Sequence, residues 1–193
     1  TALANSIAAA DNYSIAQSAL SVANAQVVVG KAAAQAQIDV AIDFALADAK
    51  AAALTAETAV ADAIKATEAA KLASEALTFD LGAATAAKAL AQAAYNSASN
   101  AKVLADEAAV RAASAAQIGD RLDHVISKSE AAADYATATS VALNGASASL
   151  VLADAFRARA ESFELANDGN SAASLADDVS VVRPSPEKDG PLL

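Results

Sequence analysis

The chain has 193 residues, enough for one ordinary domain, but about a third of them are alanine, aromatics make up only 4% and Trp is absent. A core of large side chains is therefore excluded, and burial has to come from many small contacts between closely approaching helices. A net charge of −10 and a pI near 4.4 leave no basic face for nucleic acid or anionic lipid, and without cysteine there is no disulfide.

Alanine is the best intrinsic helix former, because it gives up no side-chain entropy. Proline, the strongest helix breaker, is confined to Pro184, Pro186 and Pro191. The first predicted helix covers residues 2–77. Its only glycine is Gly30, and one interior glycine costs about 1 kcal/mol without ending a helix. The strongest break is Leu77-Thr78-Phe79-Asp80-Leu81-Gly82, where Thr78 or Asp80 is a potential N-cap and Gly82 a terminator. A second helix follows over 83–117, a kink or short break at Gly119-Asp120, and a third helix over 121–166 with Gly145 inside it. Asn167-Asp168-Gly169-Asn170 reads as a stop, 171–178 as a short helix, 179–182 as an extended strap and 183–193 as a flexible tail.

Large apolar residues recur at helical spacing, as in Ile38/Ile42/Leu46 and Leu122/Val125/Ile126, without a sustained leucine heptad. Charges pair at the same spacing in Asp62/Lys65, Glu68/Lys71, Lys71/Glu75, Glu107/Arg111 and Arg157/Glu161. The expected fold is all-α: an elongated, coiled-coil-like bundle built on a long antiparallel hairpin, with residues 1–182 as the body and 183–193 as the tail. Two charge-free windows, 12–30 and 135–153, are mirror images about residue 82. A hairpin folding at Gly82 would set them side by side, with a C-terminal segment or a second chain as cover. On that reading an Asp at Val28 is worse tolerated than one at Ala66, taken as a wet position. Both windows hold several Asn, Ser, Gln or Thr residues and do not read as membrane spans. Thr1 in place of Met reads as a processed or trimmed chain.

Candidate chemistry is sparse. His124 is the sole histidine, and without Cys or a second His it has no partners for a zinc set or a nucleophilic pair. Asp39/Asp43, Asp106-Glu107 and Asp177-Asp178 are acidic pairs outside any calcium-loop pattern and read as solvated faces. Phosphate-loop, dinucleotide, hydrolase-elbow and zinc-protease motifs do not occur. No catalytic, metal or cofactor residues are assigned. Asn12-Tyr13-Ser14 fits a glycosylation sequon, which makes Asn12 a candidate modification site if the chain is secreted. The three tyrosines, Tyr13, Tyr95 and Tyr135, are expected to pack by their rings. Ice-binding helices repeat Thr every eleven residues, and here only Thr67/Thr78 has that spacing.

The alanine-rich runs such as 83–94, the cysteine-free helical hairpin, the acidic balance and the tail Arg183-Pro184-Ser185-Pro186-Glu187-Lys188 together resemble the alanine-rich surface proteins of African trypanosomes, of the glutamic acid/alanine-rich type. The resemblance is diffuse, covers residues 1–182 and includes no short motif. This chain departs from it in having 15 Asp to 8 Glu. The resemblance implies a bundle like the variant surface glycoprotein core, held on the outer face of a parasite's plasma membrane by a C-terminal lipid anchor absent from this chain. It implies a non-enzymatic coat that shields the membrane and meets host antibodies, with homodimers or lateral self-packing among its partners. The alternative is a self-assembling structural or ice-binding helical protein. Circular dichroism is expected to give more than about 75% helix, because proline is absent from the body and alanine dominates; substantial strand would contradict the reading.

Overall fold

The computed structural model describes residues 2–76, 80–118 and 123–181, and the side chains of 6–76, 80–118 and 123–168. Almost every described residue is helical. The elements are α1 (Ala2–Glu75), α2 (Leu81–Ile118) and α3 (Asp123–Val181). The expected all-α bundle is what forms.

Helix α1 runs unbroken through Gly30. Gly82 is not the terminator but lies in the first turn of α2. Asp80 supplies the cap: its Oδ1 accepts the Ala83 amide at 2.8 Å, and its own amide donates to Ala73 O at 3.2 Å. These bonds satisfy backbone groups left over at both helix ends, while Leu81 packs on Ala73, Ala84 and Ala160. Residues 167–170 do not stop α3 either. The helix continues through 171–178 and on to Val181, so the strap reading fails for 179–181. With no proline there, one glycine and a few poor helix formers are too small a penalty to end it. Residues 77–79, the Gly119-Asp120 break, Val182 and the 183–193 tail lie outside the described residues.

All buried apolar residues among those described are alanine except Ile42 and Val125. On α1 all but Ala53 follow two seven-residue series, Ile42-Ala49-Ala56-Ala63-Ala70 and Ala45-Ala52-Ala59-Ala66-Ala73. On α2 they alternate by three and four, from Ala84 and Ala87 to Ala112 and Ala115. On α3 a single series runs Val125-Ala132-Thr139-Ala146-Ala153-Ala160. This is a regular coiled-coil seam whose knobs are methyl groups. Larger side chains stay outside it: Phe44, Leu72 and Leu90 are all exposed. The seam is legible as heptads only in the alanines, which is why the larger residues show no sustained repeat.

The chain divides into two compact units. One comprises Thr1–Leu54 with Asn100–Ser140, the other Thr55–Ser99 with Val141–Leu193. In the first, Ile42, Ala45 and Ala49 meet Ala108, Ala112, Ala115, Val125 and Ala132, flanked by Ile38, Leu46 and Tyr135. In the second, successive clusters climb α1 from Ala59 to Ala73, descend α2 from Ala98 to Ala84 and climb α3 from Ala146 to Ala160. Helix α3 is therefore parallel to α1 and α2 antiparallel to both. Thr67 Oγ1 ties α1 to α3, lying 2.9 Å from Ser149 O as well as 2.9 Å from Ala63 O. A Cβ added at Gly145 would touch Val60 at 3.5 Å.

This order overturns the mirror symmetry of the charge-free windows. Mirror pairing would require α2 and α3 to form one returning limb, but the chain reverses again between them. The window 135–153 packs on α1 through Gly145–Val60 and Ser149–Thr67. The window 12–30 is exposed throughout. The seam series explains why: continued backwards from Ile42 and Ala45 past Ile38, it meets Gln35, Lys31, Asn24, Ser21, Gln17 and Ser14, with Val28, Ala10 and Ile7 as the apolar exceptions down to residue 7, and the polar majority cannot fill an apolar hole.

The expected ranking of two substitutions is consequently inverted. Ala66 is 4% exposed and Val28 66%. Ala66→Asp should destabilise the protein by about 3 kcal/mol or more, from an unpaired buried carboxylate. Val28→Asp should stay within about 0.5 kcal/mol. Ala91→Leu, at a fully buried position, should cost about 1–3 kcal/mol by overpacking. Thermal melts of the three variants beside the wild type measure all of these.

Candidate functional site

The polar chemistry of the molecule is concentrated in contacts between helices. In the first unit, three acids of α1 each meet a base from another helix. Asp39 Oδ1 lies 2.9 Å from His124 Nε2, Asp43 pairs with Lys128, and Asp48 Oδ2 accepts from Arg111 at 2.6 Å. Because α1 and α3 are parallel, the one-turn spacing of Asp39/Asp43 matches the one-turn spacing of His124/Lys128. The acidic pair expected to be a bare solvated face is thus half of a clamp, and His124 is a partly exposed helix residue with a carboxylate partner. Gln35 donates to the same Asp39 oxygen at 3.0 Å. The carboxyl of Asp39 is held below its ordinary value chiefly by the His124 hydrogen bond, then by Gln35.

The second unit has an equivalent cluster. Lys88 of α2 reaches Asp154 of α3 at 2.6 Å, and Arg157 bonds both Asp154 at 3.2 Å and Glu161 at 2.9 Å. Lys88 first, and Arg157 second, lower the Asp154 pKa. The Arg157 guanidinium is pushed up, mainly by Asp154 and then Glu161. Arg159 lies 4.0 Å from Glu75 of α1 and 5.6 Å from the centre of the Phe163 ring.

Of the charge pairs read from helical spacing, Asp62/Lys65 and Arg157/Glu161 form, at 3.4 and 2.9 Å. Arg111 instead leaves Glu107 for Asp48, while Asp106 is paired with Lys102. Spacing along one helix finds only same-helix partners. The cross-helix pairs Asp48–Arg111, Asp43–Lys128 and Lys88–Asp154 were missed for that reason. The side chains of Asp177 and Asp178 lie outside the described residues.

Asn12 sits exposed in mid-helix. Tyr13 does not pack by its ring; it is 66% exposed, and its hydroxyl accepts from Gln17 at 2.8 Å. Tyr135 does pack, against the first unit's core. Two open grooves run between α1 and α2, one in each unit. The first, about 630 Å³, is lined by Thr55, Thr58, Asp62, Lys65 and Leu90 among alanines. The second, about 580 Å³, is lined by Phe44, Asp48, Val110, Arg111 and Ile118. Among the described residues no group of three His, Cys, Asp or Glu is placed to hold a metal ion. One stretch within Asp123–Asp168 reaches a mean hydropathy of 1.3, long and apolar enough by composition to cross a membrane. Helix α3 also supplies Thr139, Ala146 and Ala153 to the seam, but only 28% of that stretch is buried, and Val141, Val151 and Leu152 are exposed.

No family model, curated protein or solved structure matches the chain.

The depressed carboxyl of Asp154 makes a pH prediction. A carboxylate whose folded pKa lies below its unfolded one contributes stability above the unfolded value, and loses it as pH falls through the folded value. Asp154→Asn should melt below the wild type at pH 7, and the two melting curves should converge as pH falls below about 4. A gap that persists unchanged at pH 2 would show that the carboxylate charge is not the stabilising element.

Proposed function

We propose that the chain is a non-enzymatic structural protein of a cell-surface coat. The observation that supports this best is how its charged side chains are used. Asp39, Asp43, Asp48 and Asp154 all lie in pairs that join one helix to another across a seam of alanine. The surface between α1 and α2 offers shallow grooves, with acid and base already paired along them. Such a molecule is suited to hold space and present a polar exterior. The resemblance to trypanosome surface proteins supplies the location: the outer face of the plasma membrane, with a lipid anchor beyond the 183–193 tail. Crowded side by side, such bundles would shield the membrane from host antibodies, and Asn12 would be available for glycosylation.

A self-assembling structural protein is the second reading, favoured by the exposed apolar residues of α1 between Ile7 and Val29. Ice binding draws less support, because the Thr67 hydroxyl is turned toward the Ser149 carbonyl and is not offered to an ice face.

In the coat reading residues 179–188 lie near the membrane; α3 reaches them only after passing the α1–α2 corner, where Ala160 packs with Ala73, Ala84 and Leu81, so that corner faces the membrane and the opposite end of α1, with residues 6–34, points outward. Antibodies raised against 6–34 should label intact cells more strongly than antibodies against 179–188. Labelling by the tail antibody alone, or recovery of the native protein in the cytosol, would overturn the reading.

A further inference from the structure

Residues 6–34 of α1 are helical and exposed on every side. They carry only two charges, Asp11 and Lys31, so no ladder of ion pairs supports them as a free-standing helix. They do carry large apolar residues, each more than half exposed. Apart from Ile7 and Val28, these residues form two seven-residue stripes on opposite faces: Tyr13-Leu20-Val27, and Ile15-Val22-Val29.

The stripes differ in their companions. A coiled-coil seam needs a second series three or four residues away. For the Ile15 stripe that series contains either Asp11 and Ser18 or Asn12 and Gln26, which would bury polar groups without partners. For the Tyr13 stripe it is Ala9, Ala16, Ala23 and Gly30, all small and apolar. Gly30 is informative in itself. A Cβ there would meet nothing within 4 Å, so no contact inside the chain asks for glycine at a mid-helix position that costs about 1 kcal/mol relative to alanine. A second helix approaching closely at Gly30 would.

We propose that residues 6–34 pair antiparallel with the same residues of a second copy of this chain. The series is self-complementary in that direction. When Leu20 of one copy faces Ala16 of the other, Tyr13 faces Ala23, Val27 faces Ala9 and Gly30 faces Ser6. Every large residue meets a small one, as required for close helix approach, and the two-fold axis repeats each layer. A parallel pairing in register would stack Tyr13 on Tyr13 and Gly30 on Gly30, alternating crowding with voids. In the antiparallel pair Asp11 stays outside the seam, and the Tyr13 hydroxyl keeps its bond to Gln17 at 2.8 Å at the edge. A contact strip roughly 43 Å long and about 12 Å wide removes about 1,000 Å² in total, at the lower limit of a specific interface. The dimer is therefore concentration-dependent. It extends to a second copy the large-in-small packing that flanks the alanine seams, and it does not rest on the coat reading.

Analytical ultracentrifugation of the full chain should show a reversible dimer. Leu20→Asp should weaken it at least ~100-fold, while Val22→Asp, on the other stripe, should leave it intact. Both variants should keep the wild-type thermal midpoint, because neither position touches the bundle. The chain has no cysteine, so Ile7→Cys accepts a single spin label. In the antiparallel pair the two labels lie at least about 33 Å apart along the axis, at about 1.5 Å per residue, whereas a parallel pair holds them within about 25 Å. A monomer at all concentrations, a dimer that survives Leu20→Asp and so docks elsewhere (for example in the α1–α2 groove of the second copy), or the short label distance would each overturn the proposal.

Discussion

Close helix approach through alanine is the constraint on which the remaining structure depends. A seam whose knobs are methyl groups brings backbones to the low end of the roughly 8–10 Å range of interaxial distances. Each layer contributes little, on the order of 0.8 kcal/mol per buried methylene-sized group, so stability needs many layers in strict register. Ten alternating alanines on α2, from Ala84 to Ala115, are that repetition. The same constraint places Phe44, Leu72 and Leu90 on the outside, because no hole in the seam admits them. The few polar groups inside are satisfied locally: Ser74 donates to Lys71 O and Thr139 to Ala136 O, and no buried side-chain polar atom among the described residues lacks a partner.

A uniform alanine seam has a weakness, since sliding one helix by seven residues replaces alanine with alanine. Polar contacts outside the seam remove that degeneracy. Asp39–His124 and Asp43–Lys128 align α1 with α3 in one unit, and Thr67–Ser149 and Lys88–Asp154 fix registers in the other. Exposed ion pairs add little to stability, but sliding α3 by seven residues would set Ala131 and Tyr135 where His124 and Lys128 meet Asp39 and Asp43. Their value lies in specificity between registers. This assigns the scattered Asp, Lys and Arg residues a structural task and explains why pairs along a single helix, such as Glu107/Arg111, give way to pairs across helices.

Helix α1 outlasts the seam it belongs to. Below Ile38 its seam positions turn mainly polar, so the bundle ends while the helix continues on alanine propensity alone. The stripes Tyr13-Leu20-Val27 and Ile15-Val22-Val29 lie on other faces, out of phase with the bundle. One helix therefore carries two incompatible heptad phases, the first used inside the chain and the second turned to solvent. A phase change of this kind separates a folding interface from an association surface without any break in the backbone.

Much of the fold was legible in the residues. Alanine content, the absence of proline before residue 184 and the break near Asp80 determined the all-α class and the first corner. From Ala94 to Ala108 the alternation by four and three could also have been read, whereas extra alanines at Ala83, Ala86, Ala89 and Ala93 before it, and at Ala109, Ala113 and Ala116 after it, conceal it. Helix propensity, a local property, governs where helices form. It does not govern which way they run or which alanines face inward. The parallel course of α3 beside α1, the burial of Ala66, the exposure of Val28 and the partners of Asp48 and Lys128 were decided only in the tertiary structure. An alanine surface looks the same from every side until another helix covers one face of it, and a charge reads the same until the opposite charge of a neighbouring helix is set beside it.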